Sequence, residues 1–505
     1  MALNFECFTF SSNRGGTLIE WRKRILLSPP SFFLRNTLVV VITSLIAASG
    51  APALAQSTIQ ARKADRFVDS LGVNVHLESR TLPYSYKNYS SINLRLQVLG
   101  MRHLRDEMNA ADASFSGQPL STRFVDEIQS VGTLGYFLDG VIEGGDDYPP
   151  SGALEASHVV PMIQSLLPAI DTVEGPNEPD STDSSGSFNF VYDGILYPQG
   201  AINESEDLWN IVKSSAGFPG PSISALPVVG MSEGYAPDFT VLANAWLADG
   251  QSLPFPYATY GNMHAYQGGH VGDNQLTGYY IPYSQELTGH DPLWTTEMGY
   301  HNYTAFLSDG EQQGVSERAS AIYLPIAFLS GFERGVLRTF SYELIDESYG
   351  PNDPNFTSDP GEGHYGLLKY DLTPKPTYTA LQNLISILAE PGCEKFDPGS
   401  LTITFSGAPD TMHYALLEKS TGAYYLAIWN DAKVYDLATE TNPGKDVYPA
   451  NVPVTLTFAA PQAFTVYAPN DSSGTSATHA YTLSTTPGSI TLNLPPEVLV
   501  LEVLP

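Results

Sequence analysis

The sequence predicts an α/β protein made of a (β/α)8 TIM barrel followed by a C-terminal β-sandwich domain. From Phe67 onward, short β-rich runs alternate with longer amphipathic segments, which is the pattern of repeated βα units. Eight such runs can be distinguished before residue 394. From about Phe396 the pattern changes to short alternating strands between turn residues, which favours a sandwich. These strands are predicted at Leu401–Phe405, Tyr424–Trp429, Val452–Phe458, Ala463–Tyr467 and Ser489–Leu494.

The order of elements supports a barrel because each predicted strand is followed by a predicted helix. The eight strands are expected to end near His76, Arg105, Asp139, Glu178, Ser232, Tyr266, Glu297 and Glu343. The helices are predicted at Tyr89–Gly100, Ser121–Gly132, Leu154–Leu167, Ser205–Ser214, Asp238–Ala248, Gln275–Leu287, Gln312–Phe332 and Thr377–Leu388. Parallel barrels carry their reactive groups at the carboxyl ends of the strands, so the site is expected there.

Residues 1–55 have the features of an export leader. The apolar run Leu38–Ala48 follows several basic residues and precedes Ala53-Leu54-Ala55, a small-residue cleavage pattern. The run is short for a membrane span. We therefore expect an exported, periplasmic or extracellular protein whose mature chain starts near Gln56. A later true start or a retained anchor are the alternatives, because the region before the apolar run is unusually long.

The remaining chain divides into three predicted parts. Residues 56–66 are a possible strand added to the sandwich, 67–394 form the barrel, and 395–505 form the sandwich. The sandwich shows no paired aromatic platform, so bracing the barrel is favoured over binding a glycan.

Composition narrows the possible partners. The chain has 24 Lys+Arg against 54 Asp+Glu, a net charge of −30, which argues against nucleic acid and anionic membranes. We expect no integral membrane association after leader cleavage. The only cysteines are Cys7, in the leader, and Cys393, so the mature chain can form neither an internal disulfide nor a cysteine metal cluster. No cofactor and no metal are predicted.

Two acidic motifs stand out at predicted strand ends. Asp171-Thr-Val-Glu-Gly-Pro-Asn-Glu-Pro-Asp180 presents Glu178 just past strand four, with Asn177 beside it. Pro292-Leu-Trp-Thr-Thr-Glu-Met-Gly-Tyr300 presents Glu297 at the end of strand seven. A pair of carboxylates roughly 5 Å apart is what retaining glycoside hydrolysis needs, since one protonates the leaving oxygen while the other attacks the sugar. Glu343, at the end of strand eight, is a rival carboxylate.

These two motifs resemble the strand-four and strand-seven signatures of the clan A glycoside hydrolases, and the flanking pattern looks nearest to family 39-like enzymes. The resemblance covers roughly Phe67 to Leu388 together with the sandwich. It implies that Glu178 is the acid/base and Glu297 the nucleophile of a retaining enzyme acting on a carbohydrate.

The same resemblance suggests supporting residues. It implies that Arg105 helps to keep Glu297 ionised, that Tyr266 donates a hydrogen bond to Glu297, and that His264 contacts the sugar or the acid network. By the same resemblance, Tyr342 would lie under the sugar.

Other interpretations of these residues remain open in the sequence. Arg105 could instead form a surface pair with Asp106, and His76, a candidate for lining the sugar site, could be a satisfied core histidine. Trp294 is expected to face the helices because of its odd spacing from Glu297. A zinc pair of His264 and His270 is disfavoured, because Gly268-Gly269 would break an aligning helix.

The segment Asp180–Glu204 is long for a loop within a barrel. It contains the aromatic residues Phe188, Phe190, Tyr192 and Tyr197. We expect these rings to form the wall of a sugar subsite. The alternative is a loop with its own small hydrophobic cluster.

The leading hypothesis is a retaining glycoside hydrolase that cleaves β-linked polysaccharide or oligosaccharide outside the cytoplasm. A transglycosylase would use the same intermediate with a sugar acceptor in place of water. A non-catalytic glycan-binding barrel is the alternative from another class. The sugar, the linkage, endo or exo action and the oligomeric state are not specified by the sequence.

Overall fold

The computed structural model describes residues 57–77, 86–108, 121–142, 153–182, 186–272, 275–289, 292–307, 312–348, 360–392, 395–460, 462–470, 479–482 and 488–504. The predicted leader, with Cys7, lies outside the described residues, as does Cys393. Among the described helices, none combines the length and the hydropathy required to cross a membrane.

The described strands, in chain order, are β1 (Ser57–Gln60), β2 (Arg62–Lys63), β3 (Leu71–Asn74), β4 (His103–Glu107), β5 (Phe137–Val141), β6 (Ile170–Glu174), β7 (Val191–Tyr192), β8 (Ile195–Leu196), β9 (Val228–Val229), β10 (Trp294–Met298), β11 (Arg338–Ser341), β12 (Ser400–Ser406), β13 (Met412–Glu418), β14 (Tyr424–Asn430), β15 (Tyr435–Asp436), β16 (Lys445–Asp446), β17 (Val452–Phe458), β18 (Ala463–Tyr467), β19 (His479–Thr482), β20 (Gly488–Leu494) and β21 (Leu499–Val503). The described α-helices are α1 (Ala64–Asp69), α2 (Tyr89–Leu99), α3 (Thr122–Gly132), α4 (Ala156–Leu166), α5 (Gln199–Lys213), α6 (Asp238–Ala248), α7 (Ile281–Thr288), α8 (Glu317–Glu333) and α9 (Pro376–Leu388).

A curled parallel sheet carries the predicted strand ends. Its seven strands run in the order β10-β11-β3-β4-β5-β6-β9, and every neighbouring pair is parallel. Beyond β9, Tyr260 forms a parallel bridge with Val229, while Gly261 and His264 form parallel bridges with Leu293 and Glu297. The segment 260–264 therefore lies between the two edge strands, where the sixth strand was predicted.

Local signals account for where the helices begin. Asn88, Ser121 and Ser316 each accept a hydrogen bond from the backbone N–H three residues later, which satisfies one donor in the first turn of α2, α3 and α8. Helix α6 has the predicted bounds, whereas α5 begins at Gln199 and not at Ser205. The predicted start was late because the first turn of α5 lies inside the aromatic segment that was interpreted as a loop.

The two faces of the parallel sheet differ sharply in polarity. Leu71, Val73 and Val173 belong to the main hydrophobic core, together with residues of the surrounding helices. The alternate positions carry buried polar groups, among them Arg105 and Glu174. Because side chains alternate along a strand, the sheet packs apolar residues on the helices and directs polar residues to its other face.

Trp294 packs among strand residues, so the expectation that it faces the helices is wrong. It is 3 % exposed and belongs to a small cluster with Val229 and Phe340. Its ring stacks on Tyr260 at 5.0 Å between centroids, and the Arg338 guanidinium lies 4.5 Å from its ring centre. The register of β10 shifts between Thr295 and Met298, so simple alternation counted back from Glu297 gives the wrong face.

The C-terminal part contains two antiparallel sheets. One has the order β1-β12-β17-β20, and the other has the order β19-β18-β21-β14-β13-β2, in which only β2 is parallel to its neighbour. Ile403 and Phe458 from the first sheet share a hydrophobic cluster with Leu426 and Leu501 from the second. The N-terminal addition is present, since β1 pairs with β12 and β2 with β13, although helix α1 begins at Ala64.

Candidate active site

The two predicted acids lie together at the carboxyl ends of parallel strands. Glu178 follows β6, and Glu297 lies near the end of β10. One carboxylate oxygen of each residue and Nδ1 of His264 all lie within 4.8 Å of one another. The side chain of Glu178 is 34 % exposed and that of Glu297 10 % exposed, so Glu178 is the more accessible of the two.

The backbone at Glu178 has a left-handed conformation, with φ of 42°. A non-glycine residue rarely adopts this region, and such residues cluster at functional sites because the surrounding structure must hold them there. Here the turn is held by backbone bonds from Ser232 to Pro176 and from Ser181 to Glu178. The turn therefore fixes the direction in which the Glu178 side chain leaves the backbone.

Glu297 is surrounded by groups that favour its ionised form. Arg105 Nη1 donates to Oε1 at 2.6 Å, and the Tyr266 hydroxyl donates to Oε2 at 2.7 Å. Burial alone would raise the pKa of Glu297, but His264, Arg105 and Tyr266 outweigh it and lower the pKa below its usual value. An ionised carboxylate is the form that can attack a carbon centre.

Besides its bond to Glu297, Arg105 donates hydrogen bonds to three further residues. Its guanidinium donates to Glu174 through Nε and Nη2 at 3.0 and 2.9 Å. The same group also reaches Asn74 at 2.8 Å and Asn177 at 2.6 Å. A planar fork with five donors suits this arrangement, which a lysine could not reproduce. Asn177, predicted beside the acid, thus orients Arg105.

The alternative surface pair of Arg105 and Asp106 is wrong. Both residues are buried, with 4 % and 3 % of their surfaces exposed. Successive strand side chains point to opposite faces. Asp106 accordingly accepts a hydrogen bond from the backbone of Leu77, on the other side of β4 from Glu297.

The sequence interpretation missed Glu174, which anchors this network. Glu174 is fully buried, and its Oε1 accepts from Arg105, from Asn262 at 3.0 Å and from the Thr296 hydroxyl at 3.0 Å. The signal was present as a carboxylate at the end of the apolar run of β6, four residues before Glu178.

His264 connects the two acids. Its Nδ1 lies 2.6 Å from Glu178 Oε1, and its Nε2 lies 3.2 Å from the Thr296 hydroxyl oxygen. Burial disfavours the charged imidazole, yet the carboxylates of Glu297 and Glu178 outweigh this and raise the pKa of His264. His264 therefore contacts Glu178 and lies 3.6 Å from Glu297, so it belongs to the network of the two acids, as the resemblance implied.

A glycine loop lies directly against Glu178. A Cβ on Gly234 would stand 3.1 Å from the Glu178 carboxyl carbon, so a side chain at this position would push the carboxyl group away by a few tenths of an ångström. Asp180 fixes the loop by accepting from the backbone N–H of Gly234 at 2.9 Å and of Tyr235 at 2.7 Å. Asp180 thus serves to position the loop beside the acid.

His76 and Tyr342 lie on the strand-one and strand-eight side of the site. Their rings are 6.1 Å apart, and the Tyr342 ring lies 6.5 Å from that of Tyr266. The Tyr342 hydroxyl donates to Glu362 at 2.7 Å. Burial, only partly opposed by nearby carboxylates, lowers the pKa of His76 to about 4, so this histidine is neutral at pH 7.

Glu343, the rival carboxylate, belongs to a different group. It is fully buried, and its Oε2 lies 3.3 Å from His76 Nε2. Within the described residues it groups with His76 and Glu347, whereas Glu297 groups with Glu178 and His264. The geometry therefore pairs Glu178 with Glu297.

The aromatic residues of the segment 180–204 pack into the protein. Tyr192 and Tyr197 are 1 % and 5 % exposed, and Tyr197 lies 4.4 Å from the Phe188 ring between centroids. Phe188 and Phe190 pack against the buried clusters. The expected subsite wall is therefore wrong for Tyr192 and Tyr197, which belong to a hydrophobic cluster, whereas for the partly buried Phe188 and Phe190 it stays a prediction.

Comparison with known proteins reveals a likeness of fold. No protein-family model and no curated protein matches the sequence. Among solved structures, the chain is similar to a family 39 glycoside hydrolase from the gut symbiont Bacteroides cellulosilyticus WH2, with 14 % identity over 88 % of this chain and 82 % of that one, at a TM-score of 0.55.

Two further structures match at a similar level. The GH39 enzyme from Xanthomonas axonopodis pv. citri has 14 % identity over 88 % of this chain and 96 % of that one, at a TM-score of 0.54. A glucosidase from Croceicoccus marinus has 11 % identity over 89 % of this chain and 97 % of that one, also at 0.54. The resemblance to family 39-like clan A enzymes is thus confirmed as a likeness of fold.

Proposed function

We propose that the protein is a retaining glycoside hydrolase that cleaves β-glycosidic bonds of a polysaccharide or oligosaccharide by double displacement. The observation that carries the proposal is the proximity of the Glu178 and Glu297 carboxylates, with oxygens within 4.8 Å of each other. Carboxyl groups about 5 Å apart suit direct attack on the sugar, whereas inverting enzymes need about 6.5 Å or more to admit a water molecule.

In the first step, Glu178 gives its proton to the glycosidic oxygen while the Glu297 carboxylate attacks the anomeric carbon. The bond from that carbon to the leaving oxygen breaks, and an ester between the sugar and Glu297 forms. Arg105 and Tyr266 hold Glu297 ionised and aimed before the attack, through their bonds of 2.6 and 2.7 Å.

In the second step, Glu178 removes a proton from water, and the water oxygen attacks the anomeric carbon. The ester bond breaks, and Glu297 leaves as a carboxylate. His264 supports both steps, because its Nδ1 lies 2.6 Å from Glu178 Oε1 and can exchange a proton with it as Glu178 changes between acid and base.

The finer architecture belongs to the same proposal. The parallel bridges of segment 260–264 to both edge strands favour a closed eight-stranded (β/α)8 barrel over residues 67–394. The cluster shared by the two antiparallel sheets favours a β-sandwich over 395–505, with 56–66 adding strands to it. We place the mature protein outside the cytoplasm, on the features of residues 1–55.

The test is a pair of variants assayed on a panel of aryl β-glycosides and β-glycans. Glu297→Ala should abolish turnover on every substrate. Glu178→Ala should retain activity on aryl glycosides with good leaving groups, because these need no proton, and azide should restore release of the sugar as a β-glycosyl azide. Glu206→Ala is the control, because Glu206 lies on α5 and accepts a hydrogen bond from Tyr257 at 2.9 Å, away from both acids.

Product analysis distinguishes the alternatives. A transglycosylase with the same site would transfer the sugar to an added saccharide in preference to water. A glycan-binding protein without activity would bind saccharides but release no product. Turnover unchanged in both Glu178→Ala and Glu297→Ala would refute the assignment of the two acids.

A further inference from the structure

A second group of ligand-type side chains lies beside the proposed active site. His76 follows strand β3 by two residues, and Glu343 and Glu347 follow strand β11. Because β3 and β11 are hydrogen-bonded neighbours, the segments that leave their carboxyl ends emerge side by side. His76 Nε2 lies 3.3 Å from Glu343 Oε2 and 3.9 Å from Glu347 Oε1, and all three ligand atoms lie within 4.8 Å of one another.

Within the described part of the chain, Glu343 lacks the hydrogen bonds that a buried carboxylate normally accepts. Its side chain has no exposed surface, and neither of its carboxylate oxygens accepts a hydrogen bond from any described residue. A buried carboxylate without a donor is costly, so such groups are normally paired or bound to a metal. The orphaned oxygen Oε2 faces the His76 nitrogen.

The neighbouring protein cation is already committed elsewhere. Lys375 Nζ donates to Asp346 at 2.7 Å, to Asn302 at 2.9 Å and to the backbone oxygen of His364 at 3.1 Å. An ammonium has three hydrogens, so these bonds use all of its donors. Lys375 therefore has no hydrogen left to donate to Glu343 or Glu347, and a metal cation is a partner that could take its place.

We propose that His76, Glu343 and Glu347 bind a divalent metal cation. An imidazole nitrogen with two carboxylates is a donor set suited to zinc or manganese. An ion about 2.0–2.2 Å from each donor would place the donors roughly 3 to 4 Å apart. The separations of 3.3 and 3.9 Å agree with this.

A sugar hydroxyl would suit the site formed by His76, Glu343 and Glu347 less well than a metal ion. Glu343 is fully buried, so a saccharide in an open cleft could not reach its carboxylate, whereas an ion can enter past the partly exposed edge of His76. The bound ion would link the ends of β3 and β11 next to Tyr342, whose ring contacts His76. Its role is to hold that side of the site in place, and no step of the sugar chemistry passes through it.

The experiment measures metal binding by the full chain. Chelator-treated protein is titrated separately with Zn²⁺, Mn²⁺ and Ca²⁺ by calorimetry, and the bound metal is counted by elemental analysis. We expect one ion per chain, with Zn²⁺ or Mn²⁺ preferred to Ca²⁺. Glu343→Gln and Glu347→Gln should each weaken binding by at least about tenfold, since even outer partners of a metal contribute that much.

Two controls test where the ion binds. Glu233→Gln changes another fully buried acid, near Asp180, and should bind the ion like the unaltered chain. Glu178→Gln alters the other described group of potential ligands and should also leave binding unchanged. With Mn²⁺ bound, pulsed electron paramagnetic resonance should detect a coupled imidazole nitrogen that disappears in His76→Asn.

Several results would overturn the proposal. The folded, unaltered chain could take up none of the three ions at millimolar concentration, in which case Glu343 is simply a protonated acid. Both glutamine variants, shown to be folded by circular dichroism, could bind as tightly as the unaltered chain. Loss of the ion in Glu178→Gln would place it in the catalytic group.

Discussion

Replacing Tyr266 by phenylalanine should move the acidic limb of the pH–activity profile to higher pH. The change removes one hydroxyl, which donates to Glu297 Oε2 at 2.7 Å, and leaves the ring in place. The lost bond favours the ionised carboxylate, so its removal raises the pKa of Glu297 from its lowered value. Hydrolysis requires that carboxylate, and activity is therefore lost at a higher pH than before.

The size of the effect follows from the hydrogen bond. A bond to a charged group contributes about 1.5–3 kcal/mol. One pKa unit corresponds to about 1.4 kcal/mol, so the midpoint of the acidic limb should rise by about one to two pH units. Arg105 and His264 remain and keep part of the lowering.

The assay is kcat/KM as a function of pH, since this ratio reports the ionisation of the free enzyme. The substrate is an aryl β-glycoside that the unaltered enzyme hydrolyses. Tyr300→Phe is the matched control, because its hydroxyl donates to the backbone oxygen of His270 at 2.9 Å and not to Glu297. An acidic limb that stays in place in Tyr266→Phe, or moves to lower pH, would show that the Tyr266 hydroxyl does not lower the pKa of Glu297.

Three further changes test the surroundings of the two acids. Glu174→Gln should lower the free energy of unfolding, measured in urea titrations, by about 3–5 kcal/mol, because it breaks a buried ion pair with Arg105. A loss below about 1 kcal/mol would contradict this expectation. Arg105→Lys should lower kcat/KM by about a hundredfold, since an ammonium group cannot reproduce the planar guanidinium that binds Glu297 and Glu174 at once. Near-normal activity of this variant would contradict the role of Arg105. Gly234→Ala should slow the hydrolysis of glycosides with poor leaving groups about tenfold more than that of glycosides with good ones, because the added methyl displaces the acid Glu178. Equal slowing of both kinds of substrate would argue against Glu178 as the acid.

Much of the fold was predictable because its signals are local. Helix α6 and strands β17 and β18 have their predicted bounds, since each is a periodic run between turn residues. The start of α5 was predicted too late, because Pro198 and the aromatic residues before it are typical of a loop and carry no helical periodicity. Strand β13 was also missed, as its pairing with β14 depends on contacts distant in sequence.

The candidate site was predictable where a motif marks a strand end. Glu178 and Glu297 were found in this way, and the predicted partners Arg105, Tyr266 and His264 contact them. The buried network around Glu174 was not predictable, because it depends on the side chains of four strands and segments converging across the sheet. The grouping of His76 with Glu343 and Glu347 was hidden for the same reason.

The proposed mechanism requires that Glu297 becomes covalently bonded to the sugar. An activated 2-deoxy-2-fluoro β-glycoside, matched to the sugar that the enzyme hydrolyses, slows release of the intermediate so that it accumulates. Digestion and mass spectrometry should then locate one added glycosyl group on Glu297. A label on Glu178 or Glu343, or turnover by an enzyme that never carries a label, would exclude Glu297 as the nucleophile.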